Sequence, residues 1–387
     1  MISIEEALHT IQDQEFTSAP ITSTVSDSLG SYLAQEIYAP FDIPSFDNSA
    51  MDGYAVCGVG KSYTVIGEIA AGDTGMHQLK PGEAMRIFTG GRTPINCTAV
   101  VMQEKTKVNG QVLELEEEIT EGKNIRRKGE ELAKGQLVFE KGHAISPGTI
   151  GLLNSIGRVN VDVFEKPTVR IIATGDELVK PGSELKEGQI YASNGETISG
   201  ALKSYGFACK EHIQIQDDYP SILQGIKNCL DSSDVLLLSG GISVGEYDFV
   251  KKALEENGVE EVFYKVFQKP GKPLFFGRKE NKCVFGLPGN PASSLTCFYV
   301  YVLPLLQKMA GGHGTGLRRV FIPLQHSFEM KSDRPSFLKA HLSGKEVSIL
   351  DGQGSSMIHS MANGNALVYL KRPASLEKGD LVECLLF

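Results

Sequence analysis

The sequence predicts a multidomain α/β protein built on a central α/β domain with a mostly parallel sheet. Three observations carry this. A length of 387 residues suits about two to four domains. From about residue 166 to 310, apolar strand-like runs alternate with helix-like segments, the pattern of successive βα units. On both sides that alternation breaks down into short strands punctuated by glycine and proline, mixed with helix before this region and nearly pure strand after it.

Each element has a local reason. The chain opens on a helix from Ser3 to Thr10, with Ile4, Leu8 and Ile11 on one face. Tyr63-Thr-Val-Ile66, Ala84-Met-Arg-Ile-Phe88 and Ala99-Val-Val-Met-Gln103 are β-like, and Val112-Leu-Glu-Leu115 alternates with period two. Thr168-Val-Arg-Ile-Ile-Ala173 opens the central domain. A helix follows near 196–205, its start marked by a Ser193-x-x-Glu196 capping-box spacing. Then come a strand at Glu211-His-Ile-Gln-Ile215, a helix near 220–230, a strand at Asp234-Val-Leu-Leu-Leu238 and a helix near 247–257. A strand at Glu261-Val-Phe-Tyr-Lys-Val266 leads through a short apolar strand to Lys282-Cys-Val-Phe285 and a long helix from Pro291. Continuously apolar strands between helices imply a sheet covered on both faces. After Gly311-Gly-His-Gly-Thr-Gly316 only short strands are expected, a β domain of roughly 75 residues.

Composition excludes several classes. A net charge of −9 speaks against a broad nucleic-acid-binding face but leaves room for a small anion in a local basic pocket. The apolar runs are too short and interrupted to cross a bilayer, so no membrane role is expected. Met-Ile-Ser-Ile-Glu-Glu at the start has neither the basic nor the apolar segment of a secretory signal. Seven cysteines without a C-x-x-C pair, and eight histidines without H-x-x-x-H, fit a reduced cytoplasmic protein and not a disulfide scaffold or a zinc site.

Ligands of doubly wound sheets bind outside the carboxyl ends of the strands. There this sequence places Thr174-Gly-Asp-Glu177, then Asp217-Asp218, then Ser239-Gly-Gly-Ile-Ser-Val-Gly245 with Glu246 and Asp248, then Lys269-Pro-Gly-Lys272, and last Gly286-Leu-Pro-Gly-Asn-Pro291. Ser239, Gly240, Gly241 and Ser243 can turn successive N–H groups inward as a phosphate nest, although this is neither a Walker loop nor G-x-G-x-x-G. Glu177, Asp217, Asp218 and Asp248 are hard oxygen donors suited to Mg²⁺. Lys265, Lys269 and Lys272 can neutralise phosphate or an oxyanion, the alternative being solvated turn lysines. In the first region Asp47, Asn48, Ser49 and Asp52 crowd together; a β-turn alone would also explain them. Arg86-Ile-Phe-Thr-Gly90 and Arg126-Arg-Lys128 look directed at an anion, or in the latter case at solvent.

In this order the pieces resemble the MoeA family of molybdopterin molybdenumtransferases, related to the C-terminal domain of gephyrin. The matching segments are Pro44-x-Phe-Asp-Asn-Ser-Ala-Met-Asp-Gly-Tyr-Ala55, Arg86-Ile-x-Thr-Gly90, Ile125-Arg-x-x-Gly-Glu130, Thr174-Gly-Asp-Glu-Leu178, Ser239-Gly-Gly-x-Ser-Val-Gly-Glu246 with Asp248, Lys269-Pro-Gly-Lys-Pro273 and Gly286-Leu-Pro-Gly-Asn-Pro291. The resemblance implies Mg²⁺-dependent insertion of molybdate into adenylyl-molybdopterin with release of AMP. It implies a cytoplasmic homodimer whose active site is shared between subunits, with the molybdopterin adenylyltransferase as a further partner. It also implies four regions: 1–20 with 38–46 and 132–165, for linking and dimerisation; 21–37 with 47–131, mainly β; 166–310, resembling the adenylyltransferase; and 311–387, a small β barrel. Carried over by motif, Asp52 and Thr89 come from the partner subunit, while Glu177, Asp217 and Asp248 surround metal and pterin phosphate. Lys265, Lys269 and Lys272 hold molybdate or phosphate, Pro288, Asn290 and Pro291 shape the adjacent loop, and Arg334 and Ser355 face the cleft. Two other readings stay open: an adenylyltransferase of the pterin, and a non-catalytic cofactor-binding scaffold.

Overall fold

A computed structural model describes residues 1–16, 18–240 and 249–387. The chain forms two compact units, one of residues 35–141 with 151–159, the other of residues 1–34, 142–150 and 160–387. No helix among the described residues is long and apolar enough to cross a membrane.

The first unit is built on a six-stranded sheet in the order Ala99–Met102, Gly53–Val56, Glu83–Ile87, Ser62–Ile69, Val112–Leu115, Thr106–Asn109. Its neighbours are antiparallel except for the parallel pair of Ser62–Ile69 with Glu83–Ile87. Gly53 is required where its strand closes against the edge strand Ala99–Met102. A Cβ there would lie 2.0 Å from the Val101 carbonyl oxygen. Gly53→Ala is therefore expected to cost about 3 kcal/mol, the upper range for forced overpacking. A thermal melt checks this, and an unchanged midpoint would contradict the strand register.

In the second unit the α/β domain contains β1 (Val169–Thr174), α1 (Asn194–Ser204), β2 (Cys209–Ile215), α2 (Tyr219–Asp231), β3 (Val235–Ser239), α3 (Phe249–Glu256), β4 (Glu260–Tyr264), β5 (Phe275–Lys279), β6 (Lys282–Leu287) and α4 (Pro291–Cys297). The strand order is β2-β1-β3-β6-β5-β4. The β1–β2, β1–β3 and β3–β6 pairs are parallel, while β5 runs antiparallel to both β6 and β4. Two reversals restore the direction, so β4 points the same way as the parallel strands. The register row Tyr264, Phe275, Gly286, Leu238, Ile172, Ile213 then marks one edge of the sheet. The five loops expected to follow the strands of this domain all leave from that edge.

Alternate residues of the apolar strands serve opposite faces. Ile171, Leu237 and Phe285 join a core with α1, α4 and the N-terminal helix Ile4–Gln12, whereas Ile172, Leu236 and Val284 join one with α2 and α3. That two-sided cover is why these strands read as unbroken apolar runs. The helix begun by α4 continues through a π-helical stretch, Phe298–Val302, into Leu303–Met309. The widened turn accommodates Pro304, which has no N–H and whose ring crowds the preceding carbonyl.

Three local expectations are corrected. Ser193 makes no side-chain cap to α1, since its backbone is already helical (φ −108°, ψ −24°) and not extended as a capping box needs. The capping box of this chain is instead Ser3 with Glu6 at the first helix. The strand expected to run to Val266 stops at Tyr264, because Lys265 adopts φ +68° and turns the chain. The last region is a five-stranded sheet, Arg318–Pro323, Leu381–Leu386, Ala366–Leu370, Ser336–Ser343, Glu346–Ile349. It curls until its edges meet, with Gln325 N–H donating to Val347 O at 2.9 Å. It also holds a short helix, Ile358–Ala362, where none was expected.

Candidate active site

At the carboxyl edge of the α/β sheet lies a cavity of about 680 Å³, and Glu177, Asp217, Ser239, Gly240, Pro288 and Pro291 line it. β1 delivers Thr174, whose hydroxyl donates to Asp217 Oδ1 at 3.0 Å. The adjacent Asp218 takes a different part. Its Oδ1 accepts the Ser221 N–H at 2.9 Å and caps α2, and this N–H holds its carboxyl below the usual range. The Asp-Asp pair thus divides between helix cap and cavity.

β3 ends at Ser239, and Gly240 follows at φ +98°. A Cβ on Gly240 would stand 2.3 Å from Thr174 O, so only glycine lets the two strand ends close. Gly241, Ser243 and Asp248 lie outside the described residues. A residue the sequence analysis passed over, Asn194 at the start of α1, joins two loops. Its Nδ2 donates to Ser239 Oγ at 2.8 Å and to Gly289 O at 2.7 Å. The signal was present in Ser193-Asn194 but was assigned to a cap. From the other side, Asn290 Nδ2 donates to Ser355 Oγ at 3.0 Å, and Ser356 lines the cavity.

The Lys269–Lys272 loop is rigid in the way its sequence suggests. Gln268 is fully buried; its Nε2 donates to Gly271 O at 3.0 Å and its Oε1 accepts from Tyr301 OH. Gly271 sits at φ +81°, with its Cα facing Cys297. The Lys269–Pro270 bond is cis, and the Lys269 N–H donates to Pro335 O at 2.9 Å. The three lysines are not equivalent. Lys272 is exposed and immediately precedes Pro273, a lining residue of the large cavity. Lys269 lines a separate cavity of about 280 Å³ against Phe328 and Ser336. Lys265 holds its Nζ 4.7 Å from the Tyr264 ring centroid. Arg334 engages through its backbone, its carbonyl accepting from Ser332 and Ser336 hydroxyls, and does not line the large cavity.

Glu177 and Asp217 are the only carboxylates lining the large cavity among the described residues. Two carboxylates among neutral polar lining groups are the kind of oxygen donor a hard cation such as Mg²⁺ takes. No cluster of three metal-ligating side chains occurs among the described residues, so a third acidic ligand from them is not at hand.

In the other unit, Asp52 Oδ1 accepts both the N–H and the hydroxyl of Thr89, each at 2.7 Å. The Thr89 N–H first, then its hydroxyl and Arg86, hold the exposed Asp52 carboxyl below the usual range. Arg86 itself stacks between Tyr54 and Phe88, 5.2 Å from each ring centroid. A lowered pKa keeps Asp52 charged as pH falls, and its stabilising bonds are lost only as pH drops through that folded value. Thr89→Val removes one donor and keeps the other. It is expected to move the Asp52 pKa partway back up, read by carboxyl NMR titration; an unmoved pKa would contradict the bond. Two members of the basic run are paired within their own unit: Arg127 Nη1 donates to Asp47 Oδ2 at 2.7 Å, and Lys128 Nζ lies 3.3 Å from Asp42 Oδ2.

The fold and site define a class: an α/β domain, covered on both faces, with a polar, carboxylate-bearing crevice at the carboxyl edge of its sheet. Comparison with known proteins narrows it. Residues 2–157 match the MoeA N-terminal region (domain I and II), residues 170–308 a probable molybdopterin binding domain, and residues 322–387 the MoeA C-terminal region (domain IV). The molybdopterin molybdenumtransferase of Staphylococcus aureus is 31% identical over 95% of this chain and 91% of its own. That of Staphylococcus epidermidis is 30% identical over 100% of this chain and 95% of its own. A crystal structure of the molybdopterin biosynthesis moeA protein from Pyrococcus horikoshii superposes with a TM-score of 0.87 at 28% identity, covering all of both chains. The chain belongs to the MoeA family of molybdopterin molybdenumtransferases, enzymes of molybdenum cofactor biosynthesis.

Proposed function

We propose that this enzyme inserts molybdenum from molybdate into adenylyl-molybdopterin in a Mg²⁺-dependent reaction, cleaving the phosphoanhydride and releasing AMP. The observation that carries the reading is the placement of Glu177 and Asp217 beside the Ser239–Gly240 strand end and the Pro288–Pro291 turn around one cavity. Mg²⁺ would be held by Glu177, Asp217 and Asp248, and supplies charge neutralisation at the phosphoanhydride. The chain's own groups position the substrate. Ser239 Oγ already accepts from Asn194, which leaves its hydroxyl proton for a phosphate oxygen. Gly240, with Gly241 and Ser243, offers backbone N–H groups to the same phosphate. Lys272 beside Pro273, with Lys269 and Lys265, supplies positive potential for the incoming oxyanion. Because Gln268 already ties the lysine loop and Asn194 the Gly289 turn, little ordering cost falls on those two loops when the ligand binds.

In this reading the protein is a cytoplasmic homodimer in which the Asp52–Thr89 turn of one protomer faces the cavity of the other. Arg334 and Ser355 stand at the cleft, the four regions divide as the family resemblance implies, and the adenylyltransferase hands over the substrate. The test is pterin-bound molybdenum after incubation with adenylyl-molybdopterin, molybdate and Mg²⁺, read by elemental analysis of the separated pterin. Metal on the pterin is expected. Bound pterin that stays metal-free under all conditions would favour the scaffold.

A further inference from the structure

Lys339 lies in the strand Ser336–Ser343 and is 2% exposed. A lysine so far from water needs its ammonium fully hydrogen bonded. Its Nζ donates to Gly352 O at 2.7 Å, Gly354 O at 2.9 Å and Met357 O at 3.1 Å. An ammonium has three hydrogens, so all of them go to one loop. Gln353 adds a second tie: it accepts the Lys339 N–H at 2.9 Å and donates to Lys339 O at 2.8 Å. Ser360 Oγ, with one proton to share, stands within hydrogen-bond distance of two of the same carbonyls, Gly352 O at 2.7 Å and Met357 O at 3.0 Å.

This loop carries Ser355 and Ser356. Ser356 lines the large cavity. Ser355 accepts from Asn290 Nδ2 through its hydroxyl and from the Ser293 N–H through its carbonyl, at 3.0 and 3.2 Å. Asn290 is the last residue before α4, within the Gly286–Pro291 turn, and Ser293 lies in the first turn of that helix.

We infer that Lys339 is a positioning residue for the site: its ammonium pins the 350–357 loop so that Ser355 and Ser356 stand against Asn290 as one wall of the cavity. The consequence for catalysis rests on the proposed reading that this cavity takes adenylyl-molybdopterin. Methionine matches the length of lysine and tolerates burial but removes the ammonium's three donors, leaving Gly354 O with the Met357 N–H alone and Gly352 O and Met357 O to share one Ser360 hydroxyl. Arginine keeps the charge, yet its planar fork does not suit three oxygens converging on one nitrogen.

The test uses the full-length chain. In Lys339→Met, amide exchange in residues 350–357 is expected to quicken at least about tenfold, with strands 366–370 and 381–386 keeping their protection. KM for adenylyl-molybdopterin is expected to rise about tenfold with kcat within about twofold of the parent, since the loop must be ordered at the expense of binding. Lys339→Arg is expected to follow the same pattern. Should Lys339→Met fail to fold, Ser360→Ala carries the test, with a smaller change of the same sign in both readouts. Unchanged exchange in the loop, loss of protection across the whole C-terminal sheet, or faster loop exchange with an unchanged KM would each overturn the inference. If the parent enzyme releases no AMP, the functional reading fails, and the exchange data alone decide whether Lys339 holds the loop.

Discussion

Asp217→Asn is expected to slow molybdenum insertion by at least about a hundredfold, the cost of removing one charge-stabilising group from a reacting centre. The amide is nearly isosteric and its oxygen can still accept from Thr174 Oγ1, so the local geometry survives while the charge is lost. Asp217 is exposed, so stability should hold within about 0.5 kcal/mol. The neighbouring residue provides the control. Asp218→Ala removes the N-cap of α2 and is expected to cost about 1 kcal/mol of stability while leaving the cavity carboxylates in place. Turnover and thermal melts of both variants check this. Equal activity losses, or a stability loss in Asp217→Asn alone, would reverse the assignment of the pair.

Gly271→Ala is expected to be the most damaging change in the lysine loop. The added Cβ would lie 2.5 Å from Cys297 Sγ, and φ of +81° disfavours any side chain. Because Cys297 is buried in the helix that backs the loop, it has little room to give way, and roughly 1–3 kcal/mol of overpacking cost is expected. The loop would then shift Lys272 and Pro273 relative to the cavity, raising KM for molybdate. Pairing the change with Cys297→Ala relieves the contact but not the backbone strain, so partial recovery is expected. A Gly271→Ala enzyme with parental KM and melting point would show that the loop is not fixed in this way.

Much of this was legible in the sequence because its cause is local. The unbroken apolar strands 169–174 and 235–239 pack helices on both faces, and that requirement writes itself into successive residues. Proline and glycine in Lys269-Pro-Gly-Lys272 and Gly286-Leu-Pro-Gly-Asn-Pro291 likewise report backbone shapes directly. Other features depend on residues far apart in the chain. Lys339, between Leu338 and Ala340, looks like a solvent-facing strand residue until the carbonyls of the 350–357 loop surround it. Asn194 gains its part only when β3 and the Gly289 turn arrive beside it. Asp217 and Asp218 are indistinguishable in sequence; the direction in which α2 starts separates them. Lys269 and Lys272 look like a pair in sequence, but across the two-residue Pro-Gly turn Lys269 lines the smaller cavity while Lys272 is exposed beside Pro273 of the large one.

The central claim is that the carboxyl-edge cavity couples phosphoanhydride cleavage to the arrival of the oxyanion. AMP release from adenylyl-molybdopterin, followed with and without molybdate and Mg²⁺, tests it most directly. The account predicts release only when both are present, and its near abolition in Asp217→Asn. Release of AMP without molybdate, or undiminished release by the Asp217→Asn enzyme, would contradict it.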